Sequence, residues 1–519
     1  MVIGSFYRIT SLTALAVVCL AALPQSLAAQ PATVSCSSKP GERQHCPADT
    51  SGGVALQRST GEAACLLGRT WGYDDRGVWV SDGCGGVFTL GQAAPQGAVA
   101  PAPAPPAETA QPAAPQVAHR RIESWGEFEP GDGFLVGRSS AGELSLSAYA
   151  LVRYINQLPA DQTFTDHLGN EHDVDTREDI FPHRIMVFLK GWVGTPKLIY
   201  NIFFWTVNTT DQDALFWVVG YQFSRKFSLY AGINGLPGTR SVQGSHPYWL
   251  GHDRVMADEY FRPYFGYGIW AQGEITPGLW YNAQVGDTSS SLGVKATQLD
   301  RKFSAGLSMF WMPTTKEFGP RGAYGDWEYH EEVATRFGFS TAYSPEQRFT
   351  DAYSGATGNT TIKLADSLNV FDTGALAPGV TVDNVDYRLL SIDAGMKYKG
   401  IFLQTELYFR RLDSFVADGA LPVEKIEDTG FYVQAAFYPI PKKLELYAAT
   451  SQIFGDSDAG FGDSSEYLVG ANFYPFKTRN HRFNLQLMDV NKSPAGSTFG
   501  YYTGGQDGTT VTAAFSILF

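Results

Sequence analysis

The chain has 519 residues, a formal net charge of -13, 18% charged residues, 14% aromatic residues and 55 glycines. The acidic balance argues against a nucleic-acid-binding protein, which would present a basic patch. After the N-terminus no uninterrupted apolar run reaches the length of a membrane-spanning helix, because charged residues and a proline divide the most apolar stretch, residues 185–207. The many aromatic and glycine residues instead suit membrane-spanning strands.

Residues 1–28 have the features of an export signal. Arg8 precedes an apolar segment, residues 12–23, that is too short to cross a bilayer, and small residues follow up to Ala28 and Ala29. We expect cleavage after one of these two alanines. The mature chain would then enter an oxidising compartment, in which disulfides persist.

Residues 29–90 form a small module with four cysteines, Cys36, Cys46, Cys65 and Cys84. So small a core usually needs cross-links, and the sequence therefore predicts two disulfides, with three pairings open. The cysteine spacings contain no CxxC pair, which argues against a zinc site.

Two segments of this module carry a family resemblance. Residues 46–53 read CPADTSGG and residues 68–84 read GRTWGYDDRGVWVSDGC. They resemble the exported bacterial DUF3011 family, which implies no particular chemistry. Its aromatic residues, Trp71, Tyr73 and Trp79, have two interpretations: they form the small core, or they stack on glycans such as those of peptidoglycan.

Residues 91–118 are mostly Ala, Pro, Gln and Gly, a composition that predicts a disordered, extended linker. From residue 119 to the end, sixteen segments alternate apolar and polar residues with the period of two of a β-strand. The predicted fold is all-β: a 16-stranded antiparallel transmembrane β-barrel, residues 119–519, that follows the disulfide-stapled module and the linker. The predicted strands are 143–155, 183–194, 197–208, 213–223, 226–234, 260–275, 277–288, 299–312, 331–344, 385–398, 401–413, 427–438, 441–453, 464–475, 479–490 and 507–519.

The last predicted strand, 507–519, orients all the others. Val511, Phe515 and Ile517 lie on one face of it, and Thr510, Thr512 and Ser516 lie on the other. In a closed outer-membrane barrel, lipid covers the apolar face, water covers the polar face, and closure pairs the strand edge.

The connections between predicted strands alternate in length. The long ones, 156–182, 235–259, 345–384 and 414–426, fall on the side predicted to be extracellular, and short turns fall on the periplasmic side. The connection 313–330 is the exception, because it is long and yet lies on the periplasmic side. It contains either a hidden strand pair or an elaborated turn.

The orientation of the last strand places polar residues such as Gln404, Gln434 and Gln486 inside the barrel. Two interpretations of the basic residues on this face stay open. In the first, the basic residues are part of a charged wall and are balanced by acids such as Glu406 and Glu445. In the second, they form a series of binding positions that lead anions through the barrel. The predicted inward cations are Arg184, Lys190, Arg262, Lys302, Arg336, Lys397, Arg410 and Arg482.

Three stretches give the barrel a family resemblance: AGELSLSAYALVRY at 141–154, LYAGINGLPG at 229–238 and GGQDGTT at 504–510. They resemble the phosphate-selective porin O and P family. The resemblance implies a homotrimeric porin whose third extracellular loop, here 235–259, folds inward and narrows the pore. It makes Arg240, Arg254 and Arg262 candidates for the constriction. The acidic residues Asp253, Asp258 and Glu259 argue against phosphate selectivity.

The predicted function is an outer-membrane porin for passive diffusion of small hydrophilic solutes, with preference for anions or phosphate as the sharper hypothesis. One alternative is a structural barrel that its N-terminal, periplasmic module tethers to peptidoglycan. An outer-membrane enzyme is disfavoured, because the histidines occur in no nucleophile or HExxH context. No cofactor or metal site is predicted, and the acidic loop 156–182 does not match an EF-hand.

Overall fold

The computed structural model describes residues 32–61, 63–90, 131, 133–207, 212–288, 302–349, 362–496 and 500–519, with the side chains of 207 and 212–214 excepted. The predicted export signal and linker lie outside these residues. The chain forms two compact units, residues 1–116 and 117–519. Among the described residues, no helix has both the length and the apolar character to cross a membrane.

The first unit contains two three-stranded antiparallel sheets. Their strand orders are β1-β6-β3 and β2-β5-β4. The strands are β1 (Thr33–Ser37), β2 (Arg43–Cys46), β3 (Val54–Ser59), β4 (Trp71–Asp74), β5 (Gly77–Ser81) and β6 (Gly85–Leu90). The two predicted disulfides are confirmed, and they join Cys36 to Cys46 and Cys65 to Cys84.

The aromatic residues of this unit divide between its core and its surface. Trp71 is buried, and its ring lies 4.8 Å from that of Phe88. Trp79 is only partly buried, and the guanidinium of Arg43 stacks on it at 3.8 Å from the ring centroid. Trp71 is therefore a core residue, whereas Trp79 presents a stacking surface.

The second unit is a closed antiparallel barrel of sixteen long strands, which confirms the predicted fold. It closes where β25 pairs with β8, from Thr509 opposite Leu158 to Leu518 opposite Tyr149. The barrel strands are β8 (Gly142–Leu158), β11 (Glu178–Val193), β12 (Thr195–Val207), β13 (Gln212–Ser224), β14 (Phe227–Gly235), β15 (Phe265–Thr276), β16 (Leu279–Gly286), β17 (Ser304–Trp311), β18 (Ala334–Gln347), β19 (Val382–Tyr398), β20 (Ile401–Ala417), β21 (Lys425–Ile440), β22 (Leu444–Phe454), β23 (Ser464–Phe473), β24 (His481–Asn491) and β25 (Gly508–Leu518). A short strand, β7 (Phe134–Arg138), pairs with β8, and the hairpin β9 (Thr163–Thr165) and β10 (Glu171–Asp173) lies between β8 and β11.

The alternation of faces follows the predicted register. On β24, Phe483, Leu485 and Leu487 are exposed, whereas Asn484 and Gln486 are buried inside the barrel. The outer surface is also apolar on the other described strands. The inner surface carries many polar side chains, but on β11 to β13 it also carries large apolar ones, such as Phe188, Phe203 and Phe216. Such an outer surface suits lipid, since lipid offers no partner for polar groups.

One predicted strand begins too early. Residues 256–261 form helix α1 (Met256–Phe261), and β15 starts only at Phe265. Pro263 separates the two elements, because it lacks an N–H for a strand ladder and disfavours the helical conformation in the residue before it. The prediction that Lys302 faces the interior is also wrong. Since β17 begins at Ser304, Lys302 precedes the strand and is exposed rather than part of the inner wall.

The connection between β17 and β18 contains no hidden strand pair. It is an elaborated turn with a 3-10 segment at Pro320–Gly322, and it buries Phe318, Ala323 and Tyr324. We call residues 312–333 the inner connection. We also call the end of the barrel that bears it the short-turn end, and the opposite end, which bears residues 236–264, the long-loop end.

Candidate channel interior

The connection between β14 and β15, residues 236–264, folds into the barrel and is here called the inner loop. Every residue from Gly232 to Pro263 is buried. Short 3-10 segments at Ser241–Gln243 and His246–Tyr248 and the helix α1 give the loop its shape. The predicted inward fold of the connection 235–259 therefore has a counterpart in the structure.

The inner loop crosses to the opposite wall of the barrel. Asn472 on β23 donates to the carbonyl of Leu250 at 2.8 Å, and Arg482 on β24 donates to the carbonyl of Trp249 at 2.6 Å. The backbone N–H of Met256 donates to Glu466 at 3.0 Å. Polar side chains of the wall thus form hydrogen bonds with backbone groups that would otherwise be buried without a partner.

Asp253 is the centre of a buried charge cluster that joins this loop to the barrel wall. Its carboxylate accepts from Arg153 at 2.6 Å and lies 2.5 Å from Arg184 and 3.5 Å from His183. Burial alone would raise the pKa of Asp253, but the Arg184 guanidinium, the His183 hydrogen bond and Arg153 together hold it well below its ordinary value. The carboxylate is therefore ionised and anchors the loop.

A strand irregularity assembles this cluster. The pairing of β11 with β8 shifts register between Pro182 and Arg184, and both His183 and Arg184 are buried. A regular strand would point these two neighbours to opposite faces, whereas a bulge turns both inward.

Most of the cations predicted to line the channel lie inside the barrel, and many of them are paired. Arg262 makes a bidentate contact with Glu259 at 3.0 and 2.9 Å. Arg336 donates to Asp393 at 3.1 Å and Arg410 donates to Asp428 at 3.1 Å. These carboxylates cancel much of the field that a ladder of free cations would produce.

The remaining predicted cations contact aromatic rings or carbonyl oxygens. The Arg254 guanidinium lies 4.2 Å from the ring of Trp249, and Arg254 also approaches Asp258 at 3.6 Å. Arg240 lies over the ring of Tyr324 at 4.6 Å. Lys190 donates to the carbonyl of Gly131, and Lys397 donates to the carbonyls of Phe318 and Ala323 at 2.7 and 3.1 Å.

The inner connection meets the inner loop from the short-turn end. The N–H of Tyr324 donates to the carbonyl of Tyr248 at 2.8 Å, and Arg240 donates to the carbonyl of Gly322 at 2.9 Å. The hydroxyl groups of Tyr324 and Tyr432 lie 3.4 Å apart. The inner connection therefore occupies space between the inner loop and strand β21.

His330 fastens the base of the inner connection. One ring nitrogen contacts Asp326 and the other lies 2.7 Å from Glu317. Asp326 also accepts from the N–H of Gly400 at 2.7 Å. The hydrogen bonds to Asp326 and Glu317 raise the pKa of His330 to about 9, so the imidazole is protonated at neutral pH.

Within the described ranges, Asp326, Glu328 and His330 are a group whose ligand atoms are close enough for a metal ion, all lying within 4.8 Å of one another. Both nitrogens of His330 already face carboxylates, and Glu328 lies 3.8 Å from Arg479. A protonated histidine between two carboxylates explains this arrangement without a metal.

The described interior is closely packed in this conformation. A cavity of about 10 Å³ lies between the inner loop and the wall, beside Trp249, Arg254, Gln434 and Tyr447. A buried water needs about 10–15 Å³, so this cavity has room for about one water molecule.

Sequence reasoning missed Arg153, although the signal was present. Arg153 follows Ser145, Ser147, Tyr149 and Leu151 at intervals of two on β8, and all of these residues are buried. Because the inward face of a strand was expected to be polar, the apolar Leu151 obscured the fact that this set of alternate residues on β8 faces inward.

Residues 33–107 match the family model described as a protein of unknown function, DUF3011. No curated protein is significantly similar to the chain.

Several solved structures resemble the barrel. OmpF of Salmonella typhi in complex with daunomycin shares 12% identity at a TM-score of 0.44, over 74% of this chain and 100% of that one. The anion-selective porin from Comamonas acidovorans shares 12% identity at a TM-score of 0.43, over 73% of this chain and 100% of that one. The outer membrane channel DcaP of Acinetobacter baumannii shares 8% identity at a TM-score of 0.42, over 75% and 100%. Similarity this low carries no functional argument, so the geometry of this chain has to supply one.

Proposed function

We propose that this chain forms a porin-type channel for passive diffusion of small hydrophilic solutes across a bacterial outer membrane. One observation carries the proposal: a closed sixteen-stranded barrel has an apolar outer surface, and its polar inner wall encloses an inward-folded loop. A barrel of this size encloses more space than the side chains of its wall alone can fill. The interior is therefore available for a passage that the inner loop narrows.

The proposal includes a weak preference for anions. Around Asp253, two guanidinium groups, those of Arg153 and Arg184, contact a single carboxylate, and the guanidinium of Arg482 contacts the ring of the neighbouring His252. This local excess of positive charge favours anions, whereas the paired cations elsewhere contribute little. Phosphate selectivity and membership of the phosphate-selective porin O and P family belong to the same proposal, and the acids of the inner loop weigh against strong selectivity.

Three further parts of the proposal concern the surroundings of the barrel. The long-loop end faces the exterior and the N-terminal module lies in the periplasm, as the loop lengths suggest. The barrel assembles as a homotrimer, and lipid covers the rest of its outer surface. The partly exposed Trp79 makes peptidoglycan a candidate ligand of the module.

Planar-bilayer recordings of the purified full-length protein test the channel and its selectivity. We expect small conductance steps, since the described interior is narrow, and a reversal potential in a salt gradient that favours anions. Absence of conductance steps would contradict the channel, and a preference for cations would contradict the charge argument.

Substitution of Asp253 sharpens this test. Asp253→Asn removes the carboxylate that pairs with Arg153 and Arg184, so the reversal potential should move further toward that of the anion. Asp458→Asn is the matched control, because Asp458 is an exposed residue of the loop after β22. Equal shifts in the two variants would show that the Asp253 cluster does not control selectivity.

A further inference from the structure

The inner connection is unusual for its position in the barrel. At the short-turn end, a single residue, Gly194, separates β11 from β12, and two residues, Lys399 and Gly400, separate β19 from β20. Neighbouring antiparallel strands need no longer link than this. The inner connection nevertheless has more than twenty residues, from 312 to 333, and places Phe318 and Tyr324 in the interior.

Its contacts differ in kind from those of the inner loop. The inner loop is held by buried pairs of ionised groups, such as Asp253 with Arg153 and Arg184. Breaking one pair of this kind changes an equilibrium by more than about a hundredfold. Detaching the loop from the wall is therefore very unfavourable.

Between Phe318 and Tyr324, the inner connection is attached through burial of its aromatic side chains and through hydrogen bonds to its carbonyl groups. Lys397 donates to Phe318 and Ala323, and Arg240 donates to Gly322. Once the segment leaves the interior, water can replace a wall donor at a carbonyl oxygen. Each such bond therefore shifts the equilibrium toward the inward position by only about tenfold. Of the two segments that fill the interior, the inner connection is the easier one to displace.

We propose that the inner connection is a gate, and that it leaves the interior when solutes pass. This inference rests on the proposed channel function, because the inner connection occupies interior space that a passage between the inner loop and strands β19 to β21 would need. The gate closes the space between the inner loop and strands β19 to β21, where Tyr324 contacts Tyr432 and Phe318 lies beside Lys397. Its base at His330 stays attached to the Lys399–Gly400 turn and serves as the hinge.

A reversible cross-link tests the gate directly. A Cβ atom built on Gly322 would lie 3.0 Å from the Cα atom of Gly244 on the inner loop. Cysteines at these two positions are therefore within reach of a disulfide. In the full-length Gly244→Cys, Gly322→Cys variant under oxidising conditions, we expect the open probability in planar bilayers to fall by at least about tenfold. Reductant should restore it.

A second variant tests the gate in the opposite direction. Lys397→Met removes the donor to two carbonyls of the inner connection, and we expect the open probability to rise by about tenfold. Lys190→Met is the matched control, since it also removes an inward cation, but one whose carbonyl partner, Gly131, lies outside the inner connection.

The controls separate the gate from the channel itself. Single-cysteine variants and reductant-treated wild type show any effect of the substitutions or of reducing the native disulfides. If the wild type conducts and the oxidised double variant conducts equally, or if Lys397→Met and Lys190→Met behave alike, the gate is wrong and the channel stands. A wild type without conductance would overturn both.

Discussion

At the scale of single residues, Asp253 shows how one side chain can hold a long loop inside a barrel. A carboxylate taken from water into the interior is costly unless ionised donors surround it. Arg153 and Arg184 supply these donors from two neighbouring strands, and the bulge at Pro182 directs Arg184 toward it. The sequence reveals that Asp253 and several arginines are present, but not that they meet.

His330 gives a prediction for pH dependence. Its pKa in the folded chain is raised from 6.5 to about 9 by Asp326 and Glu317, with Glu328 and Lys397 also close by. A raised pKa means that protonation stabilises this base fully below about pH 6.5, and that the contribution is lost as the pH rises through 9. We therefore expect the free energy of unfolding of the wild-type barrel to fall between pH 7 and pH 10, as measured by denaturant unfolding.

His330→Gln is the variant that checks this assignment. Glutamine can still donate to one carboxylate but does not titrate, so the variant should be less stable than wild type at pH 7 and should show no such loss of stability toward pH 10. Denaturant unfolding at matched ionic strength would measure both profiles. A variant that keeps the wild-type pH profile would assign the titration to another group.

At the scale of the element, the orientation of each barrel strand determines which of its side chains face lipid. Leu485 lies near the middle of the outer face of β24 and is exposed. Leu485→Arg places a charge in the hydrocarbon, which should cost about 2–4 kcal/mol in the free energy of unfolding at the midplane. Denaturant unfolding of the barrel in lipid vesicles would measure this loss.

Asn491→Arg provides the position-matched control on the same strand. Asn491 lies on the same outward face at the end of β24, where an arginine should cost only about 0–1 kcal/mol. Similar losses at the two positions would contradict the lipid-facing orientation of this strand.

Sequence periodicity was misleading for segments that lie inside the barrel, because contacts in the interior, and not contact with lipid, determine their structure. The predicted strand 260–275 includes Tyr260 and Phe261, yet these two residues belong to α1 inside the barrel. There the N–H groups have no neighbouring strand to bond, so a helix satisfies them locally. A period of two is informative only where a strand separates two different environments.

At the scale of the whole molecule, the two compact units should respond separately to loss of a disulfide. Replacing Cys65 and Cys84 by serine removes a cross-link between β6 and the segment before β4, which should lower the stability of the small module by about 2–5 kcal/mol. Calorimetry of the full-length protein should show an earlier module transition and an unchanged barrel transition. Equal shifts of both transitions would contradict independent units.

The amino-acid sequence by itself determined the barrel, the number of its strands, the lipid-facing side of strands such as β24 and the presence of two disulfides. These features depend on local alternation and composition, because each strand reports its two environments through its own residues. Only the tertiary structure decided the disulfide pairing, the cluster around Asp253 and the inward path of residues 312–333. These features depend on contacts between residues far apart in the chain, and many of the interior cations proved to be partners of carboxylates rather than a free ladder.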